Sequence, residues 1–284
     1  MTPAACKSQN NSAETQRASA PQRLGSQRWR DGLALLERSL RFTRRVVHAG
    51  DTVYLGGDVF GQLHVIHAGQ FKTVNFTADG RGQVVGLHFK GDWLGFDGID
   101  SGRYGCDAVA LDTSEVWSVR YADLIEACAA SPDLMRTVHA AMSCQIRREC
   151  GSLLALGTLP ADARVANFVL DWAESLAARD LRTDQISLHM SRAEIGNYLG
   201  MTLETVSRAL GRLAQRGLIR FDEKGRRELA IPSLQGLSDF IQRAVEPATS
   251  LSAPAPAATA ARARSTTPAP AASRARLLAP ALAA

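Results

Sequence analysis

At 284 residues, the chain has the length of about two ordinary domains and can bury a core that needs no disulfide or zinc staple. Its apolar share of 45% and charged share of 21% are those of a globular chain. No stretch nears the roughly 20 apolar residues of a membrane span, and residues 1–30 lack the apolar segment of a secretory signal. A membrane protein, a secreted mini-protein and a fibre are therefore set aside, and a cytoplasmic chain with two folded units is expected.

The net charge of +5 resides in the two ends. Residues 1–30 carry Lys7, Arg17, Arg23, Arg28 and Arg30 against Glu14, and the segment after Glu246 carries Arg262, Arg264, Arg274 and Arg276 with no acid. The stretch between them is net negative, so a basic chain is by itself weak evidence for a nucleic-acid partner. The five cysteines, Cys6, Cys106, Cys128, Cys144 and Cys150, are odd in number and show neither a C-x-x-C nor a zinc spacing. They read as reduced thiols.

In chain order, residues 1–30 are polar and low in apolar content, the composition of a disordered arm. A sensor-like domain is expected over 31–130. Within it Val46–Val47, Thr52–Leu55, Leu63–Ile66, Lys72–Phe76, Val84–Leu87 and Val116–Val119 read as short strands punctuated by Gly and Asp, the pattern of an antiparallel roll or jelly-roll. Ser131-Pro132-Asp133 opens a helix over 131–157: Ser caps, Pro takes the first turn and an acid faces the N-terminus. Met135, Val138, Met142, Ile146 and Leu153 keep helical spacing there and are the expected seam with a second copy of the chain. The Ala/Pro/Arg-rich residues 247–284 read as a disordered tail.

The informative segment lies in 160–245. Ser191 can cap a helix that buries Ile195 and Leu199; Gly196 leaves room for a close crossing; Gly200 supplies a left-handed turn. Thr202 then caps a second helix whose Val206, Leu210 and Leu213 face a core. This spacing is a helix-turn-helix. On the outward face Glu204, Ser207 and Arg208 stand together near the helix N-terminus, the end that enters a major groove. Arg can fork onto guanine, Glu can accept from cytosine and Ser serves either role. Arg192, Thr202, Thr205 and Arg212 are candidate phosphate contacts. Two short strands follow, around Leu218–Phe221 and Glu228–Ile231, with Lys224, Arg226 and Arg227 in the turn between them. They make a wing that can meet DNA backbone, and the expected fold is α+β: a β-roll, a long dimerisation helix and a winged helix-turn-helix.

The run Gly-Asn-Tyr-Leu-Gly-x-Thr-x-Glu-Thr-Val-Ser-Arg-x-Leu-Gly-Arg at 196–212 resembles the CRP/FNR family of transcription regulators, and Gly91-Asp92-Trp93-Leu94-Gly95-Phe96-Asp97 resembles its FNR branch. The resemblance covers about 40 to 245. It implies a homodimer on double-stranded DNA that contacts RNA polymerase, and the Glu204, Ser207, Arg208 set implies TTGAT-like half-sites. The CRP type carries Arg before that Glu and Gly before that Arg, where this chain has Leu203 and Ser207.

The sensor departs from both branches. An FNR-type iron–sulfur cluster needs a run of N-terminal cysteines and one in the roll; here Cys6 stands alone and Trp117 falls at the roll position. A cyclic AMP phosphate is held in the CRP type by a Gly-Glu segment and an Arg-Ser pair, where this chain has Phe96-Asp97 and Arg103-Tyr104-Gly105-Cys106-Asp107. Neither ligand is expected, and three readings of the signal are left: haem on a single histidine, a thiol switch at Cys144 or Cys150, or no ligand at all. No nucleophile or convergent His/carboxylate set is visible, so catalysis is not expected. The competing readings are a cupin-like enzyme on the roll and a non-specific DNA binder acting through its basic arms.

Overall fold

The computed structural model describes residues 31–222 and 225–245. The expectations for the arm, Cys6, Lys224 and the tail lie outside them, as does the side chain of Arg226.

A helix over 31–39, α1, precedes the roll. The strands are β1 (Thr43–Val47), β2 (Gln62–Ala68), β3 (Gln70–Phe76), β4 (Gly82–Phe89), β5 (Trp93–Leu94), β6 (Asp107–Ala110) and β7 (Ser114–Arg120), with the single turn α2 (Gly98–Ser101) between β5 and β6. They form two antiparallel sheets, β1-β7-β2-β5 and β4-β3-β6. Two cores flank β2. Ile66 packs with Val47, Phe71, Leu94 and Val116, while Leu63 and Val65 pack with Leu36, Trp93, Leu124 and Leu134 from the helices. A strand covered on both faces loses the apolar–polar alternation, and Leu63 to Ile66 are all buried. His64 is therefore a core histidine. Its Nδ1 lies 2.7 Å from Ser118 Oγ, and burial, then the Arg45 charge, hold its pKa down at about 4. His67 is half-buried and stacks on Trp117 at 4.1 Å.

The expected strand at Thr52–Leu55 is corrected. Only Thr52 makes a bridge, to Val109, and the segment runs irregularly beside β6 through Val53 N–H to Ala108 O and Ala108 N–H to Tyr54 O. Gly50 and Gly57, both at positive φ, turn the chain at either side and leave no length for a ladder.

After α3 (Tyr121–Ala130), the long helix α4 spans Pro132–Thr158, capped by Ser131 Oγ on Leu134 N–H at 3.3 Å. Its inward face carries Leu134 and Val138 into the roll core, with Met142 packed against it. Val138 is 9% exposed, so it serves its own roll and leaves the expected seam. Met135, Ile146 and Leu153 point outward.

The second half holds α5 (Ala161–Ala177), β8 (Gln185–Ser187), α6 (Arg192–Leu199), α7 (Leu203–Gln215), β9 (Arg220–Asp222), β10 (Gly225–Ala230) and α8 (Leu234–Val245). Strands β8-β10-β9 form the wing sheet. Its core, built on Val165, Val169, Trp172, Ile195, Val206 and Leu210, is continuous with Val84, Phe89 and Leu111 of the roll.

A buried ion-pair node fastens the two halves to α4. Asp92, in the turn between β4 and β5, accepts from Arg148 Nη1 of α4 at 2.6 Å and from Arg179 Nη2, just past α5, at 2.7 Å. It also accepts from Phe89 N–H at 2.9 Å. Arg179 bonds the Lys90 and Ser175 carbonyls as well. Burial alone would raise the Asp92 pKa, but the two guanidiniums outweigh it and hold the carboxyl below the usual range. Removing one partner of such a set strands the others without a counter-charge. Asp92→Ala is expected to lower stability by about 3–5 kcal/mol in urea unfolding. Because the native pKa is depressed, the Asp92 contribution is full above about pH 4 and is lost as pH falls through the native value. Wild type should thus lose its advantage over Asp92→Asn in acid; an unchanged gap between the two curves would contradict the node.

Candidate nucleic-acid interface

The first helix of the pair, α6, begins in a capping box: Ser191 Oγ accepts from Glu194 N–H at 3.2 Å and Glu194 Oε2 accepts from Ser191 N–H at 2.7 Å. Gly200, at φ +62°, ends it in the left-handed conformation. Gly196 fits against the turn backbone, because a Cβ there would lie 2.6 Å from Met201 O. The close approach expected at this glycine is therefore to the turn itself.

The second helix, α7, starts at Thr202, whose Oγ1 accepts from Thr205 N–H at 3.2 Å and lies 2.9 Å from Thr205 Oγ1. Val206, Ala209, Leu210 and Leu213 are buried. That fixes the opposite face outward, where Glu204, Ser207 and Arg208 are all exposed. Arg208 Nη2 donates to Glu204 Oε1 at 2.5 Å, with the two side chains 69% and 70% exposed. Exposed pairs of this kind contribute little to stability, so both groups can exchange partners at small cost. A helix of 13 residues is about 20 Å long and about the width a major groove admits. The exposed acid, hydroxyl and guanidinium sit in its first turns, where unpaired N–H groups and the positive end of the helix dipole favour a phosphate nearby.

The candidate backbone contacts separate. Thr202 is exposed and Thr205 half-buried beside it. Arg227 is exposed on β10. Arg192 stands half-buried at the start of α6 with its guanidinium 5.3 Å from the Phe221 ring centre, so it braces the wing sheet. Arg212 is engaged within the protein: its Nε and Nη2 fork onto the Asp162 carboxylate of α5 at 2.7 and 2.5 Å. A phosphate contact there would have to share or replace that acid.

Three residues without an assigned role in the sequence join this element to the roll. Lys72 of β3 pairs with Glu194. Asn197 accepts from Val84 N–H at 2.5 Å and donates to Gly82 O at 2.7 Å, and Gln83 donates to the Asn197 carbonyl. Asn197 belongs to the recognised motif, but its partners lie more than a hundred residues away, beyond the reach of local pattern.

In the roll, the segments compared with a cyclic nucleotide phosphate site are engaged with the protein itself. Asp97 Oδ2 accepts from Gly105 N–H at 2.7 Å and from the Cys106 thiol at 3.4 Å. Arg103 donates to Gly57 O at 2.6 Å. Tyr54 stacks on Tyr104 at 3.8 Å and on His64 at 5.5 Å. A fixed carboxylate on the amide that would meet a phosphate repels the anion, and burial followed by the Asp97 charge pushes the Cys106 thiol pKa up. The residues present do not fit a cyclic nucleotide. Among the described residues, no three His, Cys, Asp or Glu side chains converge as a metal-ligating set.

Comparison with known proteins agrees with this division. Residues 44–131 match a cyclic nucleotide-binding domain, and residues 163–240 match a Crp-like helix-turn-helix domain. The transcriptional activator protein FnrA of Stutzerimonas stutzeri is 35% identical over 180 residues, 63% of this chain and 74% of that protein. The transcriptional activator protein anr of Pseudomonas aeruginosa is 36% identical over 180 residues with the same shares. Among solved structures, FixK2 from Bradyrhizobium japonicum superposes with a TM-score of 0.63 at 28% identity, over 74% of this chain and 100% of that one.

Alanine normally favours a helix over glycine by up to about 1 kcal/mol. At Gly196 the sign should reverse: Gly196→Ala is expected to cost about 1–3 kcal/mol by overpacking, read as a lower midpoint in thermal unfolding. A stabilised variant would show that the turn does not lie against α6.

Proposed function

As this chain belongs to the CRP/FNR family of transcriptional regulators, we propose that it acts as a homodimer on a palindrome of TTGAT-like half-sites and meets RNA polymerase there. The observation that carries the reading is the exposed Glu204, Ser207 and Arg208 set on the capped N-terminal turns of α7. Arg208 supplies a guanine fork, Glu204 an acceptor for cytosine and Ser207 a hydroxyl of either sense. Thr202, Thr205 and Arg227 supply backbone contacts, and Arg212 joins them if it leaves Asp162. The site calls for no catalytic chemistry.

The second copy is supported by the outer face of α4. His139, Ser143, Ile146, Cys150, Leu153 and Gly157 are all exposed in the single chain and recur at alternating steps of four and three, the repeat of a two-stranded coiled coil. Small Ser143, Cys150 and Gly157 alternate with His139, Ile146 and Leu153, so two helices can approach closely. Of the two thiols expected to face a twin, only Cys150 is on this seam; Cys144 is half-buried with its sulfur 3.5 Å from Arg147 Nη2.

Arg208→Ala is expected to cost about 1–3 kcal/mol on a TTGAT palindrome and to relax base choice at one position, measured by gel shift against single-base variants at fixed salt. Equal affinity of the wild type for a scrambled site would refute sequence-specific reading. Ile146→Glu with Leu153→Glu should convert the dimer to monomer in sedimentation velocity. In the parent dimer, diamide, which takes up the two electrons and two protons of the thiols, should give a crosslink that Cys150→Ser abolishes and Cys144→Ser retains. A wild-type monomer at micromolar concentration would sink the paired-helix reading.

A further inference from the structure

Glu204, Arg208 and Arg212 recur every four residues along α7 and are all exposed, so they form one stripe on its outward side. Both guanidiniums of the stripe are held by an acid. Glu204, the partner of Arg208, lies on the same helix and has its own use on DNA, because it can accept from cytosine. Asp162, the partner of Arg212, lies 50 residues away, in the first turn of α5. It is off the helix that enters the groove, and it takes both the charge and two donors of a guanidinium suited to a phosphate.

The fold places Asp162 there. Arg164, two residues on, donates to Leu199 O at 3.0 Å and to Leu159 O at 3.1 Å, which ties the first turn of α5 to the end of α6. Val165 and Val169 of α5 share a core with Val206 and Leu210 of α7. The helix dipole favours an acid in that first turn, and the acid is aimed at Arg212, its two oxygens accepting from Nε and Nη2 at 2.7 and 2.5 Å. Gly211 is an independent sign of close approach at this turn. Glycine weakens a helix interior, yet apart from its neighbours along the helix no described atom lies within 4 Å of where its Cβ would stand. No packing within the protein calls for a glycine here, and its bare surface lets a sugar–phosphate strand come near the backbone that carries Arg212.

We propose that Asp162 is a built-in competitor for the DNA phosphate at Arg212, and that it sets how strongly α7 grips the duplex without reading a base. This role rests on α7 being the DNA-facing helix. With Asp162 in place the pair is neutral, and a neutral pair releases no counterion from the duplex. The Arg212 and Asp162 side chains are 43% and 23% exposed, so the fork is open to solvent and a phosphate can reach the guanidinium, but the charge of the acid opposes it. A phosphate contact carries no sequence information, so the acid weakens binding to every duplex alike. Unspecific DNA then holds the protein less firmly, and discrimination is left to Glu204, Ser207 and Arg208.

The test is fluorescence anisotropy of the full-length protein on a TTGAT palindrome and on a scrambled duplex across a salt series, for wild type, Asp162→Asn, Arg212→Ala and the double variant. Asp162→Asn keeps an acceptor for Arg212 and removes the charge. It is expected to bind both duplexes more tightly by the same factor, with the slope of log affinity against log salt steeper by about 0.9. Its advantage over wild type should then shrink about 3.5-fold between roughly 50 and 200 mM salt. In the Arg212→Ala background the same substitution should leave the slope unchanged, because no guanidinium is freed. Asp162→Ser serves equally if circular dichroism shows that the asparagine disturbs the fold. Unchanged or weaker binding by Asp162→Asn, with a lower unfolding midpoint, would make the pair a structural staple and overturn the proposal. So would an equal steepening without Arg212. The two readings fail separately: sequence preference is read from the ratio of the two duplexes, and the Asp162 effect from the change of slope on either.

Discussion

The arrangement of the molecule depends on a single buried carboxylate. Asp92 occupies a tight turn of the roll, yet its two oxygens are divided between Arg148 of the long helix and Arg179 at the end of the first helix of the DNA-binding half. Apolar contact is tolerant of small slides, whereas a forked ion pair in low dielectric is not. Val84, Phe89 and Leu111 supply the continuous core between the two halves, and Asp92 fixes the register at which that core closes. Arg179 adds bonds to two backbone carbonyls, so moving it would disturb the roll and α5 together.

The DNA-reading element was almost wholly legible in the sequence, because its determinants act over three or four residues. Ser191, Gly200 and Thr202 are caps and a turn, and each does locally what its residue type favours. The same local logic located α4 from Ser131 and Pro132. What escaped is long-range. Asp92 and Arg179 are 87 residues apart, and Arg212 and Asp162 are 50 apart; no periodicity announces either pair. Val138 kept helical spacing with the outward residues but turned inward, since a helix lying on a sheet uses part of its apolar surface for that sheet. Thr52–Leu55 had strand composition without the uninterrupted length a ladder needs. The strand β6 and the helix α3 lie in short or alanine-rich stretches whose patterns are too weak to stand out.

The roll combines a fold associated with a small-molecule ligand and a lining whose polar groups are engaged within the protein. Residues 44–131 match a cyclic nucleotide-binding domain. The polar groups at the corresponding segments are engaged within the roll, with Asp97 on the Gly105 amide and Arg103 on the Gly57 carbonyl. Tyr54, Tyr104 and His64 fill space with stacked rings. A sheet sandwich closed in this way needs no small molecule to complete its core; among the described residues a concave surface lies elsewhere, where β4 meets α4 and α5.

Asn197 carries a consequence of a different kind. Strand β4 lies at the margin of its three-stranded sheet, where outward peptide groups would template the addition of a foreign strand. The Asn197 carboxamide takes the Val84 N–H and gives to the Gly82 carbonyl, the same pair of bonds that a neighbouring peptide unit would offer. One side chain thereby stands in for a strand over one pair of bonds at the start of β4. A chain whose two halves drifted apart would leave the Val84 N–H and the Gly82 carbonyl at that margin without these partners.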